Sequence, residues 1–294
     1  MQFPNEKQKI TMVTGKGGVG KSAIAAAMAE AYARRGFKTL LVELGDHSYY
    51  QYIYETPIQY EPTRIFERFY ISRWSGERAL REYVYYLIRV RKLVDLFFEN
   101  KIMRTFIRAA PALKELAILG KITSGIRDWG PPLDFDRIIV DGFSTGHFLA
   151  LLQAPVGMAD LIESGPMGEQ SRRIRDVLGR SDLSQYYIVA LPEEFPVVET
   201  IELKAELQAH FKIDAKIICN RLYDTTLTTS WLEQFANQPF AEFLINTKTS
   251  QVRETERLVR GVDNFLTLPL VFSDSGRIVI EALSRELDVK MEGP

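Results

Sequence analysis

The residues best equipped for chemistry lie close to the N-terminus, in Thr14-Gly15-Lys16-Gly17-Gly18-Val19-Gly20-Lys21-Ser22. Gly15, Gly20, Lys21 and Ser22 satisfy G-x-x-x-x-G-K-[ST]. In that pattern side-chain-free positions let consecutive backbone N–H groups turn inward around a polyphosphate. Gly15, Gly17, Gly18, Val19, Gly20, Lys21, Ser22 and Ala23 are therefore expected around the phosphates. Lys21 would reach the β- and γ-phosphates, and the Ser22 hydroxyl would ligate Mg2+. The flanking elements suit the task. Ile10-Thr11-Met12-Val13 reads as a strand, and Ala23 to Arg35 is an alanine-rich helix former with a basic pair in its last turn and Gly36 placed to end it. A helix opening at Lys21 adds partial positive charge where the phosphates would sit.

A second piece of chemistry is Arg137-Ile138-Ile139-Val140-Asp141, a buried-strand pattern ending in a carboxylate. In an open parallel sheet this delivers Asp141 to the edge where the glycine loop emerges, and Asp141 is expected to organise Mg2+. The following Gly142-Phe143-Ser144-Thr145-Gly146 also spells G-x-S-x-G, the nucleophile elbow of another enzyme class. That reading makes Ser144 a nucleophile, leaves His210 as its base and leaves the glycine loop unexplained.

The run Lys16-Gly17-Gly18-Val19-Gly20-Lys21-Ser22 resembles the deviant phosphate loop of the ArsA, MinD, ParA and nitrogenase iron-protein class of ATPases. The resemblance implies ATP as ligand and a homodimer in which Lys16 reaches the nucleotide of the facing subunit. Glu43-Leu44-Gly45-Asp46-His47-Ser48 resembles the Asp-Pro-Ala-His-Ser switch of ArsA-like ATPases with altered spacing. Aligned without a gap, the family's water-activating aspartate falls on Gly45; with one deletion Asp46 takes its place, and a plain turn is the alternative. Asp141 to Pro155 is similar to the family's Asp-Thr-Ala-Pro-Thr-Gly-His run, which maps Thr145, Gly146 and His147 onto a second switch. Pro192 to Leu203 resembles its Pro-Glu-x-x-Pro-x-x-Glu-Thr segment. The resemblance also sets Asn220 against adenine, a role an amide can fill with its donor and acceptor, and makes Phe265 to Val271 the last strand. Pro269 and Leu270 lead there into a loop that covers the base.

Strand-helix-strand alternation implies an α/β fold, a doubly wound, mostly parallel P-loop NTPase sheet. We expect one domain over residues 1–294. From about 49 to 130 the alternation lapses, and a helical insertion is expected, with Leu87, Val90, Val94, Phe97, Phe98, Ile102, Phe106 and Ile107 at helical spacing. In the targeting ATPases of the class the corresponding region holds a hydrophobic client helix, so the partners implied are a second copy and an unknown protein or membrane-protein client.

A formal net charge of -1 offers no global attraction for nucleic acid, and none is expected as a partner. Cys219 is the single cysteine. No zinc site is expected, and an arsenite site built on clustered thiolates is not available. The N-terminal stretch lacks an apolar signal region, and the chain reads as cytoplasmic. The function expected is a Mg-ATP-dependent switch acting on a partner. A nucleotide-gated scaffold with little hydrolysis, or a ParA- or MinD-like positioning ATPase, is the alternative.

Overall fold

The computed structural model describes residues 8–223, 233–235, 238–262 and 265–292; the expectation about the N-terminal stretch falls mainly outside them. The strands are β1 (Ile10–Gly15), β2 (Thr39–Leu44), β3 (Thr63–Phe66), β4 (Phe69–Trp74), β5 (Arg137–Asp141), β6 (Ser184–Ala190), β7 (Lys216–Leu222) and β8 (Phe265–Pro269). They form one sheet in the order β3-β4-β2-β5-β1-β6-β7-β8. Every neighbouring pair is parallel except the β3–β4 hairpin. The chain crosses from β5 to β6 on opposite sides of β1. The end of β1 is thus the topological switch point where open α/β sheets bind ligands.

Helices cover both faces. Along the inner strands alternate residues enter two separate cores. Val13, Leu41, Ile139, Tyr187, Val189 and Ile218 pack under α1 (Lys21–Arg34) and the C-terminal helix Gly276–Glu292. Met12, Val42, Val140, Ile188 and Cys219 face the other layer, which includes the helices Thr145–Leu161, Pro166–Gly179 and Glu194–Phe211. Burial on both sides explains why these strands read as apolar runs. The alanines of α1 bring its backbone close to its neighbours: Ala25, Ala26, Ala27 and Ala29 are fully buried, and Ser284 Oγ donates to the Ala27 carbonyl at 2.7 Å.

The segment from 49 to 130 departs from its expected helical character, because β3 and β4 lie within it. β4 extends the sheet, pairing in parallel with β2 from Thr39↔Phe69 to Leu44↔Trp74. The hairpin escapes a reading by turn residues because its turn is Glu67-Arg68, without Gly, Asn or Pro. Arg68 takes a positive φ of 59°, a conformation that glycine or asparagine more commonly supplies. The helices proper are α2 (Tyr50–Ile53), then α3 (Gly76–Ile88), α4 (Arg91–Glu99), α5 (Lys101–Ala109), α6 (Pro111–Ile122) and α7 (Ser124–Arg127). Val94, Phe98 and Ile107 turn inward, whereas Leu87, Val90 and Ile102 remain exposed. Lys121 of α6 ties this layer to β4. Its ammonium is 2.6 Å from Glu82 and stacks over the rings of Tyr60 and Trp74. No helix of the described residues is long and apolar enough to cross a membrane.

The tight seat of α1 generates a prediction. Ala27→Leu adds three carbons where no space remains, and should cost about 1–3 kcal/mol. A lower urea midpoint with an unchanged slope is the expected observation.

Candidate functional site

The loop 16–20 leaves β1 and opens α1 directly. At Gly20, the residue before α1, φ is +95° and an added Cβ would stand 2.5 Å from the Asn220 amide nitrogen, so only glycine fits. Gly15 lies with its Cα against the Val189 carbonyl. Gly17 and Gly18 face open space, with nothing within 4 Å of a built Cβ, which leaves the backbone accessible to an anion. The Val19 side chain is buried and Ala23 packs against the core under α1. Thr14 Oγ1 donates to the Phe143 carbonyl at 2.9 Å, and the Gly142 N–H donates to Val13, coupling the loops after β1 and β5.

Lys21 donates to the Lys16 carbonyl at 2.8 Å. Its ammonium is half-buried, and desolvation lowers its pKa against the opposing pull of Asp141. Lys16 points elsewhere, pairing with Glu199 at 2.6 Å and lying 5.8 Å from the Phe195 ring centroid. Sequence reasoning did not find Glu199 as its partner, although Glu199 is the second glutamate of the Pro-Glu-x-x-Pro-x-x-Glu-Thr segment. With side chains 39% and 38% exposed, such a pair is worth at most about 1 kcal/mol, so little holds Lys16 in this orientation.

Asp141 ends β5 beside Glu43 of β2, the two being register partners. Asp141 is buried. Desolvation pushes its carboxyl up to about 6, opposed by hydrogen bonds from the Ser22 and Tyr50 side chains and by Lys21, while the Glu43 charge adds to the rise. Tyr50 donates from a fully buried ring, 3.0 Å to Asp141 Oδ2 and 2.9 Å to the Ser22 carbonyl. Burial and the neighbouring carboxylates hold that phenol well above its usual range. Glu43 is also raised by burial; one oxygen accepts from the Tyr49 N–H at 2.5 Å, and Oε2 is buried without a partner.

Two carboxylates, an unpartnered buried oxygen and a serine hydroxyl on one of those carboxylates make a place that favours a cation. No group of three or more His, Cys, Asp or Glu side chains that could hold a metal ion occurs among the described residues. The donor set of Ser22 and Asp141 therefore suits Mg2+, which keeps most of its waters and takes the rest of its shell from phosphates, rather than a metal needing a full protein cage. The residues fit.

The first switch sits differently from its expected counterpart. Gly45 has φ +135° with open space beside it, so an aspartate at this position, where the ungapped alignment puts the family's carboxylate, is opposed by backbone strain rather than by crowding. Asp46 and His47 are exposed on the loop between β2 and α2, while Ser48 is buried and its hydroxyl accepts from the Gln51 N–H. Asn220 is buried; its amide nitrogen donates to the Val19 carbonyl at 2.9 Å and its Oδ1 has no partner. Pro269 ends β8, and the Leu270 N–H donates to Leu222 at 2.7 Å. The nucleophile-elbow reading fails on topology. Ser144 precedes the helix leaving the C-terminal end of β5, whereas His210 lies in the last turn of the helix that descends to the start of the parallel strand β7.

The raised carboxyl of Asp141 sets a pH dependence. An unfolded aspartate titrates near 3.9 and the folded one at about 6, so between those values the folded chain holds more protons. Stability of the metal-free protein should fall as pH rises through roughly 4 to 6, by on the order of 2–3 kcal/mol, and this group should add nothing above that window. Urea denaturation in EDTA measures the slope, and Asp141→Asn should flatten it.

Residues 8–165 match the family model described as anion-transporting ATPase. The chain is 28% identical over 235 residues to a putative arsenical pump-driving ATPase of Halobacterium salinarum, covering 73% of this chain and 35% of that protein. It is 30% identical over 231 residues to ATPase BagA of Mycobacterium tuberculosis, covering 72% and 65%. Against ATPase GET3B of Arabidopsis thaliana it is 24% identical over 269 residues, covering 74% and 64%. The chain thus spans about a third of the length of the first and just under two thirds of the other two. With a matched segment running from the glycine loop through Asp141 and into the helix beyond it, on a parallel sheet with that loop at its switch point, the chain belongs to the anion-transporting ATPase family.

Proposed function

We propose that this chain binds Mg-ATP at the end of β1 and hydrolyses it as a homodimeric switch acting on a protein or membrane-protein client. The observation that supports the reading most is the contact between Ser22 and Asp141 beside an open glycine loop, with Lys21 half-buried at the same point. In it, Lys21 and the backbone N–H groups of residues 17–22 hold the phosphates, and Ser22 and Asp141 hold Mg2+. The ion supplies positive charge at the phosphate oxygens as negative charge redistributes. Asn220 offers its unpartnered Oδ1 to the base. The chain's part in catalysis is positional and electrostatic.

The client reading draws on the helices after β4. Leu80, Tyr83, Val84, Leu113, Leu116 and Met158 line an apolar cavity of about 330 Å³, and the exposed Leu87 forms part of its wall. Arsenite is a poor candidate for the cargo despite the names of the arsenical pump-driving relatives. Cys219 is buried, and burial pushes its thiol up to about 12, far from a metal-binding thiolate.

A scaffold that binds nucleotide and scarcely hydrolyses it is favoured by one observation: Gly45 stands where the family's aspartate would, and Asp46 is exposed. Calorimetry and single-turnover hydrolysis separate the readings. Lys21→Ala should abolish ATP binding, and unchanged affinity would refute the site. Asp46→Ala should keep binding and lose turnover if Asp46 orients water; no turnover in the wild type would favour the scaffold.

The dimer has its own test. If Lys16 leaves Glu199 for the facing nucleotide, Lys16→Ala should bind ATP with near-normal affinity yet lose both turnover and the dimer stabilised by a non-hydrolysable analogue, since its charge acts only in the closed state. Light scattering reads the dimer. A variant that still closes and hydrolyses normally makes Lys16 a surface lysine.

A further inference from the structure

Tyr50 has no part in the glycine loop, in the proposed metal ligands or in the family's switch residues, yet its hydroxyl touches two of the residues that matter most. It lies 2.9 Å from the Ser22 carbonyl and 3.0 Å from Asp141 Oδ2, and Tyr50 is wholly inaccessible to solvent. A phenol has one proton to share between these acceptors. Placed between them, it fixes the start of α1 relative to the end of β5, the two elements that carry Ser22 and Asp141. The ring is itself confined, with centroids 5.5 Å from Tyr49 and 6.4 Å from Tyr54.

What holds Tyr50 there begins at Glu43. Its carboxylate accepts from the Tyr49 N–H at 2.5 Å, at the residue directly before α2. The first turn of α2 is thereby pinned to the end of β2, next to Asp141 in register. A continuous set of contacts runs from Glu43 through the Ser48–Tyr50 segment and the phenol to Asp141 and Ser22. Gly45 and Asp46 are the loop between its two ends.

We propose that Tyr50 is a positioning residue for the Ser22–Asp141 metal pair, anchored by Glu43, so that the loop after β2 and the Mg2+ site adjust as one unit. The proposal rests on the Mg-nucleotide reading above. Its chemistry is that of a charge-assisted hydrogen bond: the buried phenol orients a carboxylate that would otherwise be free to rotate away from the ion.

The test is a titration of Mg2+ against binding of a fluorescent ATP analogue, with a parallel measurement in EDTA, on wild type, Tyr50→Phe, Glu43→Gln and Tyr54→Phe. Tyr50→Phe removes only the hydroxyl. It should leave affinity in EDTA within about twofold of wild type and raise the Mg2+ concentration for half-maximal tightening by roughly tenfold, the scale of one lost hydrogen bond to a charged group. Glu43→Gln, which keeps an acceptor and the side-chain volume, should shift the Mg2+ curve in the same direction by less. Tyr54→Phe is the structural control, since it removes a hydroxyl of the same segment that donates to Glu30 at 2.7 Å; its Mg2+ curve should match wild type. A Tyr50→Phe curve that overlays wild type, or an equal shift in Tyr54→Phe, overturns the proposal while leaving the Mg-ATP reading standing. Wild-type protein that binds no analogue at any Mg2+ concentration defeats that reading first and the proposal with it.

Discussion

A carboxylate placed at the end of a buried strand has little water around it, and Asp141 has to be stabilised by what the fold supplies. The Ser22 hydroxyl, the Tyr50 phenol and the Lys21 ammonium are that supply, and they come from the start of α1 and from α2. Their combined effect is incomplete, since the carboxyl still titrates at about 6. A site left short of positive charge in this way has a standing affinity for a cation. The same shortage accounts for the neighbouring Glu43, whose one oxygen is satisfied by backbone while the other has no partner. Much of the site's geometry can be understood as the consequence of bringing two acidic strand ends side by side under a glycine loop.

The parallel sheet is what makes this arrangement affordable. Strands running the same way place β1, β2, β5, β6 and β7 with their C-terminal ends along one edge. Residues separated by more than a hundred positions, such as Thr14 and Phe143 or Val19 and Asn220, therefore meet through single hydrogen bonds. Rigid apolar layers on both faces keep that edge fixed. The loops that follow carry the variable part of the edge, and in this chain the one after β2 holds Gly45 at a positive φ and leaves Asp46 in solvent.

Lys16 and Lys21 show how two like residues five positions apart diverge once the chain folds. Lys21 is drawn over its own loop, half-buried and under the influence of Asp141. Lys16 is directed outward to Glu199 and the exposed Phe195. A weak, solvent-screened pair at the rim is suited to being exchanged for another partner, whereas the interior lysine is committed.

The amino-acid sequence by itself determined the glycine loop, the strand that delivers Asp141 and the alternation that makes a parallel sheet, because each depends on local pattern: spacing of glycines, runs of aliphatics and the period of an amphipathic helix. It also carried the family resemblance through the segments at Asp141 and Pro192. What it did not carry was pairing between distant residues. The β3–β4 hairpin turns on Glu67-Arg68, whose backbone conformation is imposed by β4 joining β2 rather than by turn-forming side chains. Glu43 read as an ordinary strand end, and Tyr50 as one aromatic among several; only tertiary packing placed the first beside Asp141 and aimed the second at it. Lys16's bond to Glu199 is of the same kind. Local propensity acts over a few residues, while hydrogen bonds and ion pairs across the sheet edge are fixed by the order in which strands assemble, and that order exists only in the folded chain.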